Sequence, residues 1–77
     1  MLTEPVTIAR ALAQVQAEGL NRLDAQMLVL HALGKAPHDR AWLLAHDTDW
    51  LPPGALAALQ AAAARRAGGE PLAYITG

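Results

Sequence analysis

Apolar positions recur at helical spacing along most of this chain. Ile8, Leu12 and Val15 follow one another at steps of four and three, which places them on one face of a helix. The pattern predicts a first helix from about Glu4 to Glu18. Thr3 or Thr7 can cap its start through a hydroxyl, and Pro5 fits the first turn if Thr3 is the cap. Gly19 is the expected left-handed stop, with Leu20 folding back onto the helix end. A second helix is predicted from Arg22 to Leu33, capped by Asn21 and carrying Asp24 in its first turn. Its expected buried stripe is Leu23, Met27, Leu30 and then Leu33 or Gly34, widened by Leu28. Gly34 ends it, with Pro37 just beyond.

A third, short helix is predicted from Asp39 to His46, anchored by Trp42 and Leu43 with Leu44 partly buried. Asp47-Thr48-Asp49 reads as a turn, because these side chains compete for nearby backbone groups. Trp50 and Leu51 are expected in a further helical turn. Pro52-Pro53-Gly54 precede a long helix from Gly54 to Ala67, with Leu56, Leu59 and Ala63 inward and alanine at most other sites. Arg65 and Arg66 sit where cations oppose the negative helix end, and Gly68-Gly69 stop it. Strict alternation of apolar and polar residues is nowhere long enough to predict a buried strand. The expectation is an all-α fold, a small bundle of four to five short helices over residues 1–69. Its expected core is Ile8, Leu12, Val15, Leu23, Met27, Leu30, Trp42, Leu43, Leu56 and Leu59. Residues 70–77 read differently. Pro71 forbids continuation of the long helix, and Leu72, Tyr74 and Ile75 have few internal partners. This stretch is expected to be loosely held, the start of a linker to a catalytic domain not contained in these residues.

Composition narrows the function classes. At 77 residues, the chain is near the lower limit for a domain stabilised by its own core, and it has no cysteine to staple it. The net charge of −1 argues against a nucleic-acid module, which needs clustered Lys and Arg. No apolar run is long enough to span a bilayer. Glu4 among the first residues, with no basic region, argues against a signal peptide, so a cytoplasmic location is expected.

Candidate chemistry is sparse. His31, His38 and His46 lack metal-ligand spacing, so no metal site is expected. Asp47 and Asp49 open like a calcium loop, but Leu51-Pro52 stand where further ligands and the glycine belong. No nucleophile stands beside a base, and no glycine-rich phosphate cradle occurs, so neither catalytic nor cofactor-binding residues are assigned. Arg65 and Arg66 form a weak basic pair, better read as a solvated helix end or a contact for a partner than as a phosphate site. Trp42 and Trp50 are most simply core, though either can anchor an interface. On these grounds the chain is a helical bundle presenting an apolar edge to another surface.

Three stretches say more. Arg22-Leu23-Asp24-Ala25-Gln26-Met27-Leu28 with Leu30-His31-Ala32-Leu33-Gly34-Lys35, then Arg40-Ala41-Trp42-Leu43-Leu44-Ala45-His46, then Arg65-Arg66-Ala67-Gly68-Gly69-Glu70-Pro71-Leu72-Ala73-Tyr74-Ile75-Thr76-Gly77 resemble, in order and spacing, the N-terminal helical domain of the release-factor glutamine methyltransferases, the HemK/PrmC family. The last stretch is the most specific and resembles the family's junction segment. Where the family commonly opens its long helix with Ser-Pro and acidic residues, this chain has Pro52-Pro53-Gly54.

The resemblance implies a full-length enzyme that transfers a methyl group from S-adenosylmethionine to the glutamine of a Gly-Gly-Gln motif in peptide chain release factors. It implies that the helical domain helps recognise the release factor, and that the catalytic and cofactor-binding parts lie elsewhere. Gly69, Glu70, Pro71, Tyr74 and Gly77 match the domain junction, and the fragment by itself is expected to be inactive. The alternative is a stand-alone helical interaction or regulatory module.

Overall fold

The computed structural model describes residues 5–76, which form five helices: α1 (Ile8–Ala17), α2 (Arg22–Ala32), α3 (Arg40–Ala45), α4 (Pro53–Ala67) and α5 (Leu72–Thr76). Helix α2 is the hub and packs against each of the other four, while α4 also meets α1 and α5. The described residues contain no strand beyond one isolated antiparallel bridge between Thr7 and Trp50, so the expected all-α bundle is what forms.

The helix ends follow local chemistry. Asn21 accepts a hydrogen bond from the Asp24 amide at 2.8 Å and caps α2. Pro53 occupies the first turn of α4, where a missing N–H costs nothing. Gly19, Gly34 and Gly69 close α1, α2 and α4 with φ of 105°, 73° and 99°, a region that side chains with a Cβ avoid. Helix α1 starts at Ile8, later than the sequence reading placed it. Of the two expected caps, Thr7 is the one used, its hydroxyl accepting from the Arg10 amide at 3.2 Å. Glu4 and Thr3 lie outside the described residues.

The start of α1 is completed from a distance. The Ile8 amide donates to the Asp49 carbonyl at 3.0 Å, and the Ala9 amide to the Asp47 carbonyl at 2.8 Å. Leu51 N donates to the Val6 carbonyl at 2.8 Å. The turn after α3 therefore satisfies free N–H groups that the helix cannot satisfy itself. This demand overrides the expected helical turn at Trp50 and Leu51, which run extended beside the α1 entry.

The core contains Ile8, Val15, Leu30, Leu43, Leu56 and Leu59, as the periodicity predicts. Leu12 and Trp42 only pack partly against it. Met27 is half-buried and Leu23 is 49% exposed, against expectation. Leu44 too is more exposed than expected, at 52%. The residues of α2 that are buried are Ala25, Gln26, Leu28, Val29 and Leu30. At about 100° per residue they cover an arc of about 200°, centred roughly 130° away from the predicted stripe. A helix with four neighbours buries more than a stripe, and small residues such as Ala25 are drawn inward where axes approach. Helix α4 supplies the complementary surface with Ala55, Leu56, Leu59, Ala62 and Ala63.

The tail also departs from expectation. Residues 72–76 form a short helix whose Ile75 is buried and whose Leu72 packs against the core. Tyr74 points away, 76% exposed.

Candidate functional site

The first and third of the motif stretches meet in space. Arg66, in the last turn of α4, donates from Nε to Oδ2 of Asp24 at 3.0 Å. Asp24 sits in the first turn of α2, where its carboxylate faces the positive helix end, and its side chain is 15% exposed. Arg66 also donates from a terminal nitrogen to the Glu70 carbonyl at 3.4 Å. Arg65 pairs with the Glu70 carboxylate, and the Glu70 amide donates to the Arg65 carbonyl at 3.1 Å. The two arginines, Gly69 and Glu70 thus form a polar clasp that turns the chain from α4 into α5. Gly69 supplies the left-handed turn and Pro71 the residue before the new helix.

The expected junction residues are therefore brought together only in part. Gly69 and Glu70 lie in the clasp, Pro71 immediately precedes α5, Tyr74 stands out from it, and Gly77 lies outside the described residues. Arg65 and Arg66, read from sequence as a possible partner contact, both carry intramolecular ion pairs. The signal for the clasp was present in the sequence as opposite charges, but pairing residues 24 and 66 requires α2 and α4 to be neighbours.

Elsewhere the chemistry is structural. His46 stacks on Trp42 with ring centres 4.4 Å apart, and its Nδ1 is 2.9 Å from the Trp42 carbonyl. The Lys35 ammonium lies 4.4 Å from the centre of the Trp42 ring, a cation–π contact. His31 and His38 are exposed, and among the described residues no group of three or more His, Asp or Glu is placed to hold a metal. No described helix is long and apolar enough to cross a membrane.

Two surfaces were not read from sequence. One is an apolar groove of about 420 Å³ beside Trp50, which is 68% exposed, with Pro52, Pro53 and Leu56 among its walls. The other is a shallow depression between α2 and α3, lined by Arg22, Leu23, Gln26, Arg40, Ala41 and Leu44. It emerges only once the rotation of α2 is known, because that rotation puts Leu23 outside.

A family model described as the PrmC N-terminal domain matches residues 7–77. A release factor glutamine methyltransferase of Bordetella pertussis is 56% identical over 59 residues, covering 77% of this chain and 21% of that relative. The protein of the same description from Xylella fastidiosa is 42% identical over 67 residues, covering 87% and 23%. That from Burkholderia pseudomallei is 39% identical over 77 residues, covering 100% and 26%. The chain thus spans about a quarter of the length of the relatives it matches. No solved structure matches it. Five helices in the expected order, with the motif stretches at α2, α3 and the α4–α5 turn, agree with the match over residues 7–77: the chain belongs to the PrmC N-terminal domain family.

Proposed function

We propose that this domain positions a peptide chain release factor for methylation of a glutamine side chain by a catalytic domain that follows it. The observation that carries the reading is the family match across residues 7–77, together with the name shared by the relatives, release factor glutamine methyltransferase. In this reading the methyl donor is S-adenosylmethionine, held by the catalytic domain, and the helical domain contributes neither a catalytic nor a cofactor-binding residue. Its contribution is orientation. Holding a flexible protein substrate in register with a methyl donor removes rotational and translational freedom before the reaction.

The clasp suits this task. Residues 70–77 serve as the junction, and the Arg65–Glu70 and Arg66–Asp24 pairs fix the direction in which the chain leaves α4. Tyr74, exposed on α5, is then available to the neighbouring domain. Calorimetric titration of this chain tests the reading with two ligands. Saturable binding of a purified release factor and no binding of S-adenosylmethionine is the expected result. Binding of the cofactor alone would overturn the division of labour.

A further inference from the structure

We propose that the depression between α2 and α3, centred on Leu23 and Leu44, docks an amphipathic helix of the release factor that presents carboxylates beside its apolar stripe. The proposal rests on the recognition role proposed above and locates it on the molecule.

Leu23 and Leu44 are 49% and 52% exposed and line one open depression of about 520 Å³. Two large aliphatic side chains held half in water across a helix pair form a surface with something to gain from being covered. Arg22 and Arg40 flank them, and among the described residues neither makes an ion pair, whereas Arg65 and Arg66 both do. Gln26 lines the same depression and is only 7% exposed. The side-chain hydrogen bonds among the described residues include none from Gln26, and none of their side-chain nitrogens or oxygens is both buried and unpartnered, so its amide reaches water and can pair with an incoming group. The depression continues toward α1 past Leu12 and Ala13, where Asp47 supplies one negative charge at the far edge. An apolar centre, a water-accessible amide and two flanking arginines fit an apolar helix face edged with Asp or Glu.

A partner carrying several carboxylates answers both arginines, whereas a second copy placed on this face offers them only Asp47 among its lining residues. A domain following α5 meets a different part of the bundle first. Thr76 shares a depression with Met27, His31, Lys35 and Pro37, at the opposite end of α2 from Arg22 and Leu23.

The test is a titration of nitrogen-15-labelled chain with unlabelled full-length release factor, followed by amide spectra. Perturbations clustered at residues 22–26 and 40–44 are expected. The double variant Arg22→Glu, Arg40→Glu should bind at least about tenfold more weakly with an unchanged melting curve, because rim charges act on association rather than folding. Added salt should weaken the native chain more than the variant. Perturbations elsewhere, with affinity retained in the double variant, would overturn the docking face and leave the recognition role standing. Self-association through these same amides would overturn it in favour of a second copy. No perturbation anywhere would overturn both proposals.

Discussion

The α2–α4 interior and the C-terminal clasp hold the same two helices together by different means. The interior is made of side chains closed to water: Leu28, Val29 and Leu30 on one helix, Leu59 and Ala63 on the other. Its stabilisation scales with apolar area, at roughly 1.5–3 kcal/mol for each large side chain fully buried. The clasp is polar and partly wet. Arg65 is 50% exposed and Arg66 34%, and exposed pairs of this kind contribute about 0–1 kcal/mol each. Helix α5 adds one buried residue, Ile75, and a partly buried Leu72. The interior therefore sets whether the domain folds, and the clasp sets where the chain goes next. A turn built from weak, directional contacts can also open without unfolding the bundle.

The sharpest way to break this contrast is Leu30→Ala. Leu30 is fully buried, so the loss should be about 2–5 kcal/mol. At about 4–8 °C per kcal/mol for a domain of this size, thermal circular dichroism should show a fall of roughly 10 °C or more. An unchanged melting curve would mean that α2 is rotated otherwise. Ile75→Ala should have a smaller and more local effect. Amides 72–76 should lose protection from hydrogen exchange while α2 keeps its own, since a terminal helix can detach alone. Equal loss of protection in α2 would place α5 within the cooperative core.

Next in size, Arg66→Ala should cost about 1 kcal/mol, because it removes one ion pair and one hydrogen bond at a half-open site. The loss should shrink in high salt, which screens the pair in the native chain as well. A loss as large as that of Leu30→Ala would show the clasp to be part of the folding core. Smallest of all, Tyr74→Ala should change stability by no more than about 0.5 kcal/mol, as its ring is exposed. If Tyr74 serves the junction, the same change should lower methylation of a release factor by a protein that carries both domains. A large drop in the melting temperature of this chain would instead tie Tyr74 to the bundle.

The ends of the helices were legible in the sequence because their causes lie within a few residues. Asn21, Gly19, Gly34, Gly69 and Pro53 act on the backbone next to them, and they fixed three helices to within a few positions. The family was legible for a related reason: its motif stretches are contiguous in the chain. Alanine and leucine, with few β-branched residues, settled the helical class.

What only the tertiary structure decided is which way each helix faces and what its ends meet. Leu23 and Leu30 obey the same spacing, yet one is exposed and the other buried, because α2 has neighbours on more than half its circumference and the stripe rule assumes one. Trp50 runs extended because the amides of Ile8 and Ala9 need carbonyl partners from the preceding turn. Arg66 finds Asp24 across 42 residues of sequence, and Ile75 finds the core, once α2 and α4 lie side by side. Local conformation depends on energies a few residues wide. Burial and pairing depend on the arrangement of whole helices, and that arrangement placed the clasp at one end of the domain and left Leu23 and Leu44 half-exposed on its face.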